Sequence, residues 1–279
     1  MTQVNLTQAR DYVYRHGTLW ERALFAYHFD DGPLSTLHNA LRAYKNEDNG
    51  YGNGLEPDIR CPDSNPLQVE FLLTVLSFND IPPGDLLAGV GDWLVAHMKD
   101  DGSLKNPSTI FDYPHAPWWV DTGGQQEPDS IVGNLMKFDA CPPELAERTK
   151  TWVQANRTIS DIRATDWLFM NYHAYDYYFN VKDFPQLETH RQTTIENIVR
   201  CAKAAPESQF GAIFSFARTP DHVVTKALPT DLIERALEQL ETSQQPEGHW
   251  KDEHGLTQWY SYSSITNLLT LRRFNRLHP

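Results

Sequence analysis

Apolar residues recur at spacings of three and four along most of this chain, the period of a helix with one buried face. "NLTQARDYVYRHGTLWERALFAYHF" carries the pattern with Gly17 as a break, and "LSTLHNALRAYKN" resumes it after Asp31-Gly32-Pro33. "NPLQVEFLLTVLSF" is almost wholly apolar and predicts a buried helix beginning at Pro66. Further helices are predicted over "PGDLLAGVGDWLVAHM", "DSIVGNLMKF", "PPELAERTKTWVQANR", "ATDWLFMNYHAYDYYF", "FPQLETHRQTTIENIVRCAK", "LPTDLIERALEQLETS" and "YSYSSITNLLTLRRF". Pro and Asp stand at several of the starts, as helix entry chemistry prefers. Alternating strand patterns are scarce, so the fold class is all-α, with one domain over residues 1–279.

Composition narrows the function classes. A chain of 279 residues with 40% hydrophobic and 12% aromatic residues buries a sizeable core. Its net charge of -13 argues against nucleic acid or an anionic membrane surface as a partner. No apolar run is long enough to span a bilayer. "MTQVNLTQARDYVYRHG" has no apolar stretch of signal-peptide length. Cys61, Cys141 and Cys201 are scattered and odd in number, which reads as reduced thiols in a cytoplasmic protein.

A punctuated unit recurs. Asn46 to Gly52, Met98 to Leu104 and Gln244 to Trp250 each follow a helix-like stretch and align on Gly50, Gly102 and Gly248, with a large residue nearby. A degenerate copy follows "TWVQANRTISD", with Arg157 and Asp161 in the Gln and Gly places, and another is expected in "CAKAAPESQFG". A unit of this length fits an antiparallel helix pair, which needs neighbours to bury both its faces.

The best copy, "RALEQLETSQQPEGHW", resembles the QW motif of the terpenoid cyclase and protein prenyltransferase superfamily. Arg235, Ala236, Leu240, Gln244, Gly248 and Trp250 stand in the family order, with Gln239 where an aromatic is usual. "YKNEDNGYGNGLEPD" resembles the "DGGFG" form of prenyltransferase and squalene-cyclase repeats. The resemblance spans roughly residues 38 to 271. It implies a single α/α toroid of about five to six helical hairpins, with a site in the central cavity where inner helices begin. The motif itself is structural: its amide can bond helix ends beside the indole, and Gly permits the turn.

Candidate chemistry lies in two loops. "GLEPDIRCPDSNP" offers Glu56 and Asp58 just before the helix at Pro66. "FDYPHAPWWVDTGGQQEPDS" offers Tyr113, His115, Trp118, Trp119, Asp121, Glu127 and Asp129 before another helix. Both loops carry a Glu-Pro-Asp tripeptide. Asp58 and Asp129 cap the following helices on one reading. On the other, Glu56, Asp58 or Asp129 is a general acid whose pKa an apolar site raises. His115 is a base or an oriented hydrogen-bonder. Tyr113, Trp118 and Trp119, then Asp166, Trp167, His173 and Tyr175, then Trp259 and Tyr260, are expected as ligand-contacting or core residues.

The chemistry of the superfamily does not transfer residue by residue. His28-Phe29-Asp30-Asp31 lacks the first Asp of D-x-D-D, and Asp58-Ile59-Arg60-Cys61 is D-x-x-C where a zinc site has D-x-C. No Asp-rich magnesium motif or phosphate loop is present, so neither metal nor cofactor is expected. Three readings stand open: an enzyme acting on an isoprenoid or other apolar molecule, a carbohydrate-active toroid with paired carboxylates, and a non-catalytic binding or scaffold protein.

Overall fold

The computed structural model describes residues 4–119 and 125–277. Its α-helices are α1 (Leu6–His16), α2 (Leu19–Phe29), α3 (Leu34–Arg42), α4 (Pro66–Phe78), α5 (Val90–Ala96), α6 (Asp129–Lys137) and α7 (Pro143–Asn156). They continue as α8 (Ile159–Ala164), α9 (Tyr172–Asn180), α10 (Leu187–Ala204), α11 (Val223–Ala227), α12 (Thr230–Thr242) and α13 (Tyr260–Arg273). One short ribbon pairs β1 (Leu104–Lys105) antiparallel with β2 (Gln125–Gln126). The chain is therefore mostly helical. No helix among the described residues is long and apolar enough to cross a membrane.

Local chemistry explains the boundaries. Asn5 caps α1 by accepting from the Gln8 N–H at 2.9 Å, and α1 ends at Gly17 as the sequence pattern predicts. Thr18 and Glu21 form a capping box that opens α2, and Thr158 and Asp161 form another that opens α8. That second box overturns the expected degenerate repeat: Arg157 and Asp161 belong to a helix junction, not to a Gln–Gly turn. "CAKAAPESQFG" likewise forms the end of α10 and a 3-10 helix over Glu207–Ser215. The helix predicted over "ATDWLFMNYHAYDYYF" begins only at Tyr172.

The chain divides into two compact units. In the first (Met1–Ala40, Trp167–Phe169 and Ile198–Pro279), α1 packs on α2 and α13, and α12 on α13. Here the Gln244 amide donates to the Asn5 carbonyl (3.0 Å) and accepts from its N–H (2.7 Å), while the Trp250 indole donates to the Leu240 carbonyl at 2.8 Å. The amide thus ties down the start of one helix and the indole the end of another, satisfying groups that helix termini leave open.

In the second unit (Leu41–Asp166 and Met170–Asn197), α6 packs on α4, α7 and most closely α9. A Cβ on Gly133 of α6 would meet the Asp176 carbonyl of α9 at 2.2 Å, so the two backbones approach only because that position lacks a side chain. Every residue of α4 except Thr74 is buried, and its Leu and Phe side chains each contribute about 1.5–3 kcal/mol of burial.

The three turns aligned by sequence share one hydrogen-bond pattern. The N–H groups of Asn46, Lys99 and Gln245 donate to the carbonyls of Gly50, Ser103 and His249 at 2.9, 2.8 and 2.8 Å. Asn49, Gly102 and Gly248 occupy the left-handed region, with φ of 72, 83 and 99°, and the large residues that follow, Tyr51, Leu104 and Trp250, are buried. The structural register therefore shifts the first copy by one residue: Asn49, not Gly50, takes the left-handed place, a conformation Asn tolerates.

Candidate functional site

Two long-range links assemble the site in the second unit. Backbone pairing joins the 58–60 segment to the 114–116 segment: Ile59 bridges His115, Arg60 N–H donates to the Pro114 carbonyl (3.0 Å) and Ala116 N–H to the Asp58 carbonyl (2.8 Å). The second link is Gln68 of α4. Its Oε1 accepts from the Glu56 N–H at 2.7 Å and its Nε2 donates to the Ile59 carbonyl at 3.0 Å. The two loops singled out by sequence are thus brought together over α4.

Glu56 and Asp58 are both buried. The Glu56 carboxylate accepts from the Asp58 N–H at 2.9 Å. Burial, with Asp58 and then Glu70 adding repulsion, pushes the Glu56 carboxyl up to about 8. Asp58 does not cap α4, since Asn65 does so by accepting from the Gln68 N–H at 3.2 Å.

Glu70, two residues beyond Gln68, is the second buried acid. The Ser130 hydroxyl lies against its Oε1, and the Gln126 amide donates to Oε2 at 3.2 Å. Burial raises Glu70 to about 7, with His173 opposing the rise. Neither Glu56 nor Glu70 forms an ion pair with a cation of the described residues. Glu56 and Glu70 each retain 9% of their surface, whereas Asp129 retains none.

The second Glu-Pro-Asp tripeptide is fully compensated. Arg157, at the end of α7, places Nε 2.7 Å from Asp129 and Nη2 2.6 Å from Glu127. His173 of α9 places Nδ1 2.7 Å from Asp129 and Nε2 3.1 Å from Glu127. Burial disfavours charge here, yet the cations win: Asp129 is held well below the ordinary carboxylate range. Burial likewise opposes charge on His173 and Arg157, and the neighbouring carboxylates overcome it and raise both. Both imidazole nitrogens face carboxylate oxygens. Asp129 is the first residue of α6, but its oxygens serve His173, Arg157 and the adjacent Ser130 N–H (3.0 Å) rather than an N-cap bond. Tyr172 stacks on His173 at 4.1 Å, and burial raises its phenol well above the ordinary value.

Glu127, Asp129 and His173 bring donor atoms within 4.8 Å of one another, a grouping able to hold a metal ion. Arg157 already supplies positive charge to both carboxylates, so a divalent cation would have to displace the guanidinium and the imidazolium protons. The arrangement suits proton chemistry at Glu56 and Glu70 better than metal chemistry.

The other sequence candidates fall in several places. His115 is exposed, with Nδ1 2.8 Å from the Tyr113 carbonyl and its ring edge-on to Phe111. Tyr113 (39%) and Trp118 (44%) are exposed on the same loop, and Trp119 packs against Ile59, Cys61, Leu67 and Ile110. Asp121 lies outside the described residues. Asp166 is exposed, and Tyr175 is buried against Phe179. Trp167, exposed and beside Phe169, belongs to the first unit. So do Trp259 and Tyr260, the latter stacked on His249 at 4.7 Å. Sequence reasoning missed Glu70, Gln68 and Ser130 as site residues. The signal available was an amide and a carboxylate two apart on an otherwise apolar helix.

No protein-family model matches the chain, and no curated protein matches it.

Proposed function

We propose that this chain is an acid–base enzyme of the terpenoid cyclase and prenyltransferase-like type, built as a single α/α toroid. In this reading it binds an isoprenoid or other apolar substrate and transfers a proton to it from a buried carboxylic acid. One observation carries the proposal: Glu56 and Glu70 are buried with no cation in hydrogen-bond contact among the described residues, and burial raises them to about 8 and about 7, the His173 charge restraining Glu70. A general acid works best when its pKa lies near the working pH, because it is then both protonated and able to give the proton up. Acids of this strength suit protonation of an oxygen atom on the substrate better than protonation of a bare alkene. Tyr113 and Trp118, exposed on the loop paired with 58–60, supply aromatic surface for the apolar part. The sequence resemblance supports the toroid, as do the three turns with one hydrogen-bond pattern. The free thiols fit a cytoplasmic setting.

The carbohydrate reading needs an unencumbered carboxylate as base or nucleophile opposite the acid. The carboxylates of Glu127 and Asp129 are both engaged by Arg157 and His173, and Asp129 also accepts from the Ser130 N–H. A scaffold gains nothing from two buried acids with raised pKa, which cost stability that glutamines would not. Native mass spectrometry and thermal shift against polyprenols, prenyl diphosphates and oligosaccharides test the choice, on wild type and on Glu56→Gln and Glu70→Gln. A stabilising polyprenol that wild type converts and both variants bind without converting is the expected result. Stabilisation by oligosaccharides alone would replace the proposal with the carbohydrate reading.

A further inference from the structure

We infer that Gln68 is a positioning residue of this site: its amide fixes the Glu56 loop to the helix that carries Glu70, doing with neutral hydrogen bonds what Arg157 does with charge at the second tripeptide. The inference rests on the reading of Glu56 as an acid.

Gln68 is fully buried, and both ends of its amide are spent on one loop: Oε1 on the Glu56 N–H, Nε2 on the Ile59 carbonyl. The two backbone groups flank the segment that holds the Glu56 side chain and the Asp58 N–H bonded to it. Gln68 is itself oriented, because its own N–H is held by the Asn65 cap. A buried amide with one donor and one acceptor engaged defines the distance between the loop and α4. A cation in the place of Gln68 would ionise Glu56, and an apolar residue would leave the Glu56 N–H and the Ile59 carbonyl without partners. Only an uncharged group with both hydrogen-bonding capacities holds the loop down and leaves the acid protonated.

The groups facing Glu56 are Asp58 from its own loop, Glu70 from α4 and, across the backbone pairing, the segment of His115, whose Nδ1 is engaged by Tyr113. If Gln68 seats the loop, its loss lets the Glu56 carboxyl reach water and relieves the burial that keeps it protonated.

The experiment is a pH titration of glutamate side-chain carboxyls by NMR on selectively 13C-labelled protein, for wild type, Gln68→Met and Gln68→Glu, with folding checked by circular dichroism. Gln68→Met keeps the volume and removes the amide. Gln68→Glu keeps an acceptor for the Glu56 N–H and loses the donor to Ile59. The Glu56 midpoint is expected to fall by about one pH unit or more in Gln68→Met, with Glu70 moving less. An unchanged Glu56 midpoint in a folded Gln68→Met protein overturns the positioning role. So does loss of folding in both variants, which makes Gln68 a framework residue. A Glu56 midpoint in the ordinary carboxylate range in wild type instead removes the acid reading itself, so the two failures are told apart.

Discussion

The same tripeptide, Glu-Pro-Asp, occurs twice in one unit of this protein with opposite electrostatics. At Glu56-Pro57-Asp58 the buried glutamate meets an amide and a second acid, and it keeps its proton to about 8. At Glu127-Pro128-Asp129 the buried aspartate meets Arg157 and His173 and is driven below the ordinary range. Burial acts on both in the same direction, so it does not decide the outcome. What decides it is whether a cation from another helix arrives within hydrogen-bond reach. A tripeptide is therefore no guide to the charge it will carry. Glu70 stands between the cases: its own helix buries it, Ser130 beside Asp129 touches it, and the His173 charge restrains its rise.

The largest expected effect comes from removing the cation. Arg157→Leu leaves Glu127 and Asp129 facing one imidazolium, and should cost about 3–5 kcal/mol in urea unfolding at neutral pH. A loss under about 1 kcal/mol would mean that His173 alone compensates the second tripeptide.

The pH dependence of stability separates the two sites next. Glu56 and Glu70 hold protons in the folded state that the unfolded chain releases above about pH 4.3. The folded state therefore binds more protons, and stability falls as pH rises from there through about 7 and about 8. The raised His173 acts in the same sense at the alkaline end, since its contribution is full below about pH 6.5 and lost as pH rises through its folded value. Asp129 acts oppositely: its contribution is present above about pH 3.9 and lost only as pH falls through its depressed folded value. The double variant Glu56→Gln, Glu70→Gln should flatten most of the fall and be more stable than wild type at mildly alkaline pH. An unaltered slope would show that neither group is protonated in the fold.

Smaller effects sharpen the link between the sites. Ser130→Ala removes the hydroxyl against Glu70, at a cost of about 1 kcal/mol, and should move the Glu70 midpoint upward, because that hydrogen bond favours the ionised form. A downward movement would reverse the assigned role of Ser130. Trp118→Ala should cost less stability than truncating a fully buried aromatic (about 3–5 kcal/mol), since the residue is 44% exposed. It should nonetheless weaken binding of a polyprenol that stabilises wild type; equal thermal shifts in both proteins would remove Trp118 from the ligand surface.

Much of the helical framework was legible in the sequence, and the reasons are local. The break at Gly17, the start of α4 at Pro66 and the extent of α7 and α13 follow from apolar period and entry chemistry. The two site loops announced themselves through paired tripeptides and a Pro-stiffened aromatic run. Their union was not legible, because it depends on Ile59 meeting His115 across a long stretch of chain. Arg157 was misread as a repeat position because its partners are 28 and 30 residues away. Asp58 looked like a cap because it precedes a helix, but Asn65 stands closer and takes the role. Glu70 escaped notice because a helix buried on all sides gives no face on which a carboxylate looks out of place.

The central claim is that two buried glutamates are protonated at neutral pH. Infrared spectroscopy of the protonated-carboxyl C=O band tests it most directly, in wild type, Glu56→Gln, Glu70→Gln and the double variant. The account expects a band at neutral pH that weakens in each single variant and further in the double variant. A band of equal strength in all four proteins, or none in wild type, would contradict it.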